Sequence, residues 1–166
     1  LKEYEERAFF YSNDLSEWGG VKKLCSQVPK LDGVVLNAGG MPEKRRENRE
    51  GFEFQASSQL FAHYFIMRAL KEQKKITKKS PVVWVSSGGM YLKKFSMKEL
   101  LINEKYDKVA TYANVKRAQV SLCEYLVQTK EWSGFSIFSI TACSELTTAS
   151  SIKISHSGLR PMRNRG

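Results

Sequence analysis

The chain has 166 residues and carries 27 Lys and Arg against 17 Asp and Glu, a formal charge of +10. A hydrophobic share of 42% excludes a wholly disordered chain, and the length suits one domain rather than two. No stretch approaches the roughly 18 apolar residues of a membrane span, so no transmembrane helix is expected.

The first residues, Leu1 to Arg7, are charged and lack the apolar core of a signal peptide. There is no initiating Met, so a removed or preceding segment is expected. Ala8 to Tyr11 (AFFY) is a short apolar run before the turn-forming Ser12-Asn13-Asp14, and reads as a strand. Leu15, Trp18, Val21, Leu24 and Val28 then recur at helical spacing. They predict an amphipathic helix capped near Asp14 or Ser16 and ended by Pro29. Gly33 to Leu36 predicts a buried strand that stops at Asn37-Ala38-Gly39-Gly40.

Met41 to Glu50 is polar and mixed in charge, a loop. From Gly51 to about Lys75, Phe54, Leu60, Phe61, Tyr64, Phe65, Met67 and Leu70 predict a long, largely buried helix. Pro81 restarts the chain as a strand, Val82 to Val85, ending in Ser86-Ser87-Gly88-Gly89. A short helical piece is expected over Met97 to Ile102 and a longer helix over Ala110 to Thr129. Phe135 to Ile140 is the last predicted strand, and from Thr141 the periodicity dissolves into small polar residues. Apolar runs separated by helices predict an α/β fold with a parallel sheet.

Three cysteines without a CxxC pair (Cys25, Cys123, Cys143) suggest reduced thiols and a reducing, cytoplasmic setting. Two histidines, His63 and His156, are too few for most zinc sites. Lysines cluster in Lys71 to Lys79 (KEQKKITKK), and the chain after Glu145 is basic without an acid. Such charge can attract nucleic acid or anionic lipid. It equally describes a solvated helix end and a basic tail, and few aromatics interleave the lysines as single-strand binding would require. Nucleic acid is therefore not expected as a partner.

In parallel sheets, ligands gather at the carboxyl ends of the strands. There the chain places SND, NAGG and SSGG. Tyr112 and Lys116 lie four apart on one helix face, where an ammonium favours the phenolate of its neighbour. That makes Tyr112 a candidate general acid for a carbonyl oxygen. The spacing alone carries little: seven tyrosines and 18 lysines in 166 residues yield about 0.8 such pairs by chance.

The order of the motifs carries more. VVLNAG (Val34 to Gly39), VSSGG (Val85 to Gly89) and YANVK (Tyr112 to Lys116) resemble, from about Ala8 to Ile140, the short-chain dehydrogenase/reductase family. The resemblance implies a partial Rossmann-type, doubly wound parallel sheet with helices on both faces, lacking its first strands. It implies NAD or NADP as cofactor, a small-molecule carbonyl or alcohol substrate, and hydride transfer between them. Tyr112 would exchange the proton, Ser87 would hold the substrate oxygen, and Lys116 would bind the nicotinamide ribose. Asn37, Ala38 and Gly39 would line the cofactor cleft, and Asp14 would contact the adenine ring.

The chain departs from the family at three places. Gln59 stands where the family has a catalytic asparagine, and Ala62 where it has a small glycine. Ala142 and Cys143 stand where it has Pro-Gly before the nicotinamide, with Thr147 in register with the family's Thr. No G-x-x-x-G-x-G turn exists in the chain, so the pyrophosphate site is missing and weak cofactor binding is expected. The expected organisation is an incomplete dehydrogenase domain over 1–140 and a degenerate basic tail over 141–166. The expected function is an NAD(P)-dependent oxidoreductase present as a fragment or truncated copy with reduced activity. The alternative is a noncatalytic binding protein on the same scaffold.

Overall fold

The fold is described from a computed structural model, over residues 8–102, 105–142 and 153–155. Helix α1 (Trp18–Gln27) leads to strand β1 (Val34–Leu36). A π-helical segment (Ala56–Phe61) runs directly into α2 (Ala62–Glu72). Strand β2 (Val82–Ser87) is followed by a 3-10 turn (Gly88–Leu92), then α3 (Met97–Leu101) and α4 (Lys108–Leu126). A second 3-10 turn (Lys130–Trp132), β3 (Ile137–Ala142) and β4 (Lys153–Ser155) complete the described elements.

The sheet has the order β1-β2-β3-β4. β1, β2 and β3 are parallel, with Val34 opposite Val82 and Val82 opposite Ile137. β4 pairs antiparallel with β3, Ser155 facing Ser139. Three parallel strands joined by helices make a partial Rossmann-type α/β sheet. Along β2, Val82, Trp84 and Ser86 are buried on one face, while Val83, Val85 and Ser87 are half-buried on the other. Trp84 meets His63 of α2 edge-on at 5.8 Å, and Ser86 Oγ donates to the Lys116 carbonyl of α4 at 3.0 Å. The fully buried face therefore carries both long helices. Val21 and Cys25 of α1, Met67 and Leu70 of α2, and Val115 and Leu126 of α4 close the core against it.

Several sequence expectations are revised. Ala8 to Tyr11 forms no strand; Phe9 and Phe10 are 79% and 93% exposed. An apolar run becomes a strand only when a neighbouring edge satisfies its backbone, and among the described residues no strand pairs with this segment. The first helix is capped by neither Asp14 nor Ser16. Asp14 Oδ1 accepts the N–H and the hydroxyl of Ser16 at 2.8 and 2.7 Å, so the two side chains satisfy each other. Glu17 takes the N-cap position without a side-chain bond. This turn is pressed onto the helix at Gly20, where a Cβ would lie 1.8 Å from the Asp14 carbonyl oxygen.

The long buried helix begins at Phe54 and opens with a widened turn, in which the Ala62 N–H reaches back five residues to the Ser57 carbonyl. β2 runs two residues further than expected because Ser86 and Ser87 pair in register with Thr141 and Ala142. α4 starts at Lys108, capped by Asp107, whose Oδ1 accepts the Ala110 N–H at 2.7 Å. The basic tail expected over 141–166 lies mostly outside the described residues; within it, Lys153–Ser155 pairs as β4. Of the three cysteines, Cys25 and Cys123 are free and buried, and Cys143 lies outside the described residues.

Candidate active site

Because β1 and β2 are parallel, their carboxyl ends open on one edge of the sheet. There Asn37 to Gly40 leave β1 while Ser87 ends β2, and α4 brings Tyr112 and Lys116 alongside. Together with Gln59 of the π segment these residues line a cleft of about 290 Å³.

Ser87 and Tyr112 are held side by side. Ser87 Oγ accepts the Gly89 N–H at 3.2 Å, capping the 3-10 turn. A hydroxyl that accepts one bond keeps its own hydrogen for another partner. Both side chains pack against Gly89: a Cβ there would stand 3.5 Å from Ser87 Oγ and 3.6 Å from the Tyr112 ring carbons, ordinary contact distances. Arg117 Nε pins the far end of the turn by donating to the Met90 and Lys93 carbonyls at 3.1 and 2.9 Å. The other serine of the pair, Ser86, is turned inward toward α4.

Lys116 is only 3% exposed. Its Nζ donates to the Val85 carbonyl at 3.0 Å and stands 5.4 Å from the Tyr112 ring centre. Burial disfavours the ammonium and brings its pKa down from about 10.5 to about 8. At neutral pH the site therefore still holds a cation, one that gives up its proton more readily than an exposed lysine.

Gln59 is fully buried. Its Nε2 donates to the Gly40 carbonyl at 2.8 Å and ties the NAGG loop to the π segment. Its Oε1 has no hydrogen-bond partner. Gly39 leaves room for this amide, since a Cβ would come within 2.6 Å of that oxygen and the Gln59 side chain would have to shift. Behind Gln59 lies a network that sequence reasoning missed: Gln119 Nε2 donates to the Gln59 main-chain carbonyl at 2.7 Å and lies 3.2 Å from His63 Nδ1. The signal was present, because Gln119 sits three residues after Lys116 on the same helix face.

Two residues selected from the sequence are not brought into this cleft. Ala38 lines a separate apolar cavity of about 200 Å³ beside β1, shared with Asn37 and His63. Asp14 is exposed at the start of the turn before α1, its carboxyl held below the usual range by the hydrogen bonds from Ser16. A third cavity, about 350 Å³ between α1 and the Phe52–Phe65 stretch, is walled by Trp18, Phe52, Phe61 and Phe65. None of the selected residues reaches it. Among the described residues no cluster of His, Cys, Asp or Glu is arranged to hold a metal, and no helix is long and apolar enough to cross a membrane.

His63 links the cleft to stability. Burial, reinforced by the Lys116 charge and opposed by the Ala38 carbonyl, lowers its pKa from about 6.5 to about 4. A cation with a depressed folded pKa contributes stability that is whole above its unfolded pKa. That stability is lost as pH falls toward the folded value, up to about 3 kcal/mol here. Urea unfolding between pH 7 and pH 4 should show the parent losing stability across this window. His63→Gln, which cannot charge, should lose less by about that amount. Parallel pH dependences would refute the assignment.

The cleft's sequence neighbourhood has relatives. Over 128 residues the chain is 30% identical to the human protein Dehydrogenase/reductase SDR family member 12, a match covering 74% of this chain and 40% of that protein. Among solved structures, an uncharacterized protein from Mycobacterium paratuberculosis superposes with a TM-score of 0.67 at 20% identity. That superposition covers 82% of this chain and 50% of the other. A short-chain dehydrogenase/reductase from Vibrio parahaemolyticus gives 0.56 at 18% identity, covering 82% and 60%. At such identities the structures bear on fold alone. No family model matches the chain.

Proposed function

We propose that the chain is a member of the short-chain dehydrogenase/reductase family, as its match to Dehydrogenase/reductase SDR family member 12 supports, and that it interconverts a small carbonyl and its alcohol with NAD or NADP. One observation carries the reading: Ser87, Tyr112 and Lys116, drawn from a strand end and a helix far apart in sequence, line the same cleft as Asn37 and Gly39.

The residues present fit the nicotinamide-ribose end of such a dinucleotide. Gly40 faces open space, with no atom within 4 Å of where a Cβ would sit, and Gln59 Oε1 is a buried acceptor without a donor. Lys116 has two further N–H donors beyond the one given to Val85. When bound, the nicotinamide supplies or receives the hydride at the substrate carbon. Ser87 donates its free hydroxyl hydrogen to the substrate oxygen as negative charge develops there. Tyr112 passes its phenolic proton to that oxygen, and takes it back in the oxidative direction. Lys116, cationic at neutral pH, stabilises the phenolate left behind. Asn37 and Gly39 shape the cofactor side of the cleft. Asp14 and Ala38, expected at the cofactor, would meet it only at parts lying outside this cleft.

The whole protein's substrate and partners belong to the proposal, since the chain spans 40% of its human relative. The chain contains no glycine-rich phosphate turn, so this polypeptide should bind dinucleotide weakly, chiefly through its nicotinamide end. A noncatalytic binder is the second reading, favoured by Gln59 standing where a shorter amide is expected. Titrating NADH and NADPH fluorescence against the 166-residue chain, and then following their oxidation with 4-nitrobenzaldehyde, separates the two. Saturable binding with turnover supports the enzyme, and saturable binding without turnover supports the binder. No binding of either dinucleotide at millimolar concentration would refute both.

A further inference from the structure

Behind the Gln59 wall of the cleft, two buried side chains, Gln119 and His63, meet each other, and Gln119 also bonds the Gln59 main-chain carbonyl. Gln119 is the member that links two elements. It belongs to α4, on the face that also carries Lys116 one turn earlier and Tyr112 two turns earlier. Its partners belong to the other helix: the Gln59 carbonyl in the π segment and the His63 ring in α2.

The orientation of the amide follows from chemistry. A main-chain carbonyl only accepts, so the group facing Gln59 must be the NH2. The second hydrogen of that NH2 points to His63 Nδ1, which must then be an acceptor, with the ring proton on Nε2. His63 keeps this neutral state through the physiological range because burial and the nearby Lys116 charge oppose protonation. The Gln119 amide therefore spans the two helices with both N–H groups engaged, and both contacts are closed to water.

We propose that Gln119 is a positioning residue for the reaction assigned above: it clamps the π segment bearing Gln59 to the helix face bearing Tyr112 and Lys116. The inference rests on reading this cleft as the redox site. The clamp matters because Gln59 in turn holds the NAGG loop through Gly40. One amide thus fixes the distance between the loop on the cofactor side and the Tyr-Lys pair on the proton side. Replacing it by an apolar isostere removes the side-chain donor from the Gln59 carbonyl, leaves His63 Nδ1 buried without a donor, and frees the two elements to separate.

The test has two arms, both on the full 166-residue chain. In the parent, the ¹⁵N shifts of the His63 ring should report a proton on Nε2 and none on Nδ1 from pH 8 to below pH 6. The second histidine, His156, is removed by substitution for assignment. A proton on Nδ1 overturns the clamp whatever the activity. In the second arm, Gln119→Leu should lower kcat with NADPH or NADH and 4-nitrobenzaldehyde by about tenfold or more. KM for the dinucleotide should stay within about twofold, and the ring should lose its single tautomer. Unchanged kcat, or equal changes in kcat and KM, overturns the positioning role. Should Gln119→Leu not fold, Gln119→Met carries the same measurement, and failure of both to fold makes the residue structural only. A parent chain that binds dinucleotide but shows no turnover overturns the redox reading and the role with it, while the tautomer result still decides the geometry.

Discussion

Tyr112→Phe is expected to lower turnover by about 10²- to 10⁴-fold, the range typical of removing a positioned general acid. Dinucleotide binding should be left nearly unchanged. The phenol is the group in the cleft able both to donate a proton to a carbonyl oxygen and to have the resulting anion stabilised by Lys116. Ser87 has a hydroxyl hydrogen to offer but no base at its side among the described contacts, its Oγ accepting the Gly89 N–H. Loss of the single oxygen atom leaves the ring in place against Gly89, so unfolding cannot account for the effect. The measurement is initial rate of NADH or NADPH oxidation, with a fluorescence titration run beside it. A variant with more than about a tenth of the parental rate would remove Tyr112 from the proton step. One that loses binding together with rate would place it at the cofactor instead.

Trp84→Ala should destabilise the chain by about 3–5 kcal/mol, the usual range for truncating a large buried aromatic. Trp84 is completely buried in the central strand, with Leu36 and Ser139 as its register partners on either side. Its ring stands edge-on to His63, so the cavity left behind would open directly beneath the Gln59–Gln119–His63 network. A domain of this size has about 5–15 kcal/mol in all, and the variant should be partly unfolded at 37 °C. Urea denaturation followed by far-UV circular dichroism measures it. A loss below about 1 kcal/mol would show that the neighbours collapse into the space.

The outline of the fold was readable in the sequence wherever the signal is local. β1, β2 and α4 were placed within a few residues, because apolar runs bounded by Gly and Pro, and a 3.6-residue period, are written in consecutive residues. Ala8 to Tyr11 has the same local pattern as β1 and is not a strand. A neighbouring edge decides that, and neither run contains the information about its neighbour. The cap of α1 failed for a similar reason. Asp14 and Ser16 are both good capping types, but their side chains bond to each other before either can reach the helix.

The candidate site divides along the same line. Ser87, Tyr112, Lys116, Asn37 and Gly39 were selected as motif residues, and the parallel register of β1 and β2 brings them to one cleft. Ala38 and Asp14 were selected by the same motifs and lie elsewhere. The widened turn at Ala56–Phe61 was not selected, since nothing in a linear pattern says where a helix will shift its hydrogen bonds by one residue, and Gln119 was not, although it shares a helix face with Lys116.

By itself the sequence determined the α/β class, the order of the elements and the chemical types available for a site, because propensity and periodicity act between residues close in the chain. The tertiary structure alone decided which apolar run becomes a strand, which of two adjacent serines is tied to the Lys116 carbonyl, how far burial moves Lys116 and His63 from their usual pKa values, and which buried amide joins the two helices behind them. Each of those depends on a partner distant in sequence, and on how much water that partner excludes.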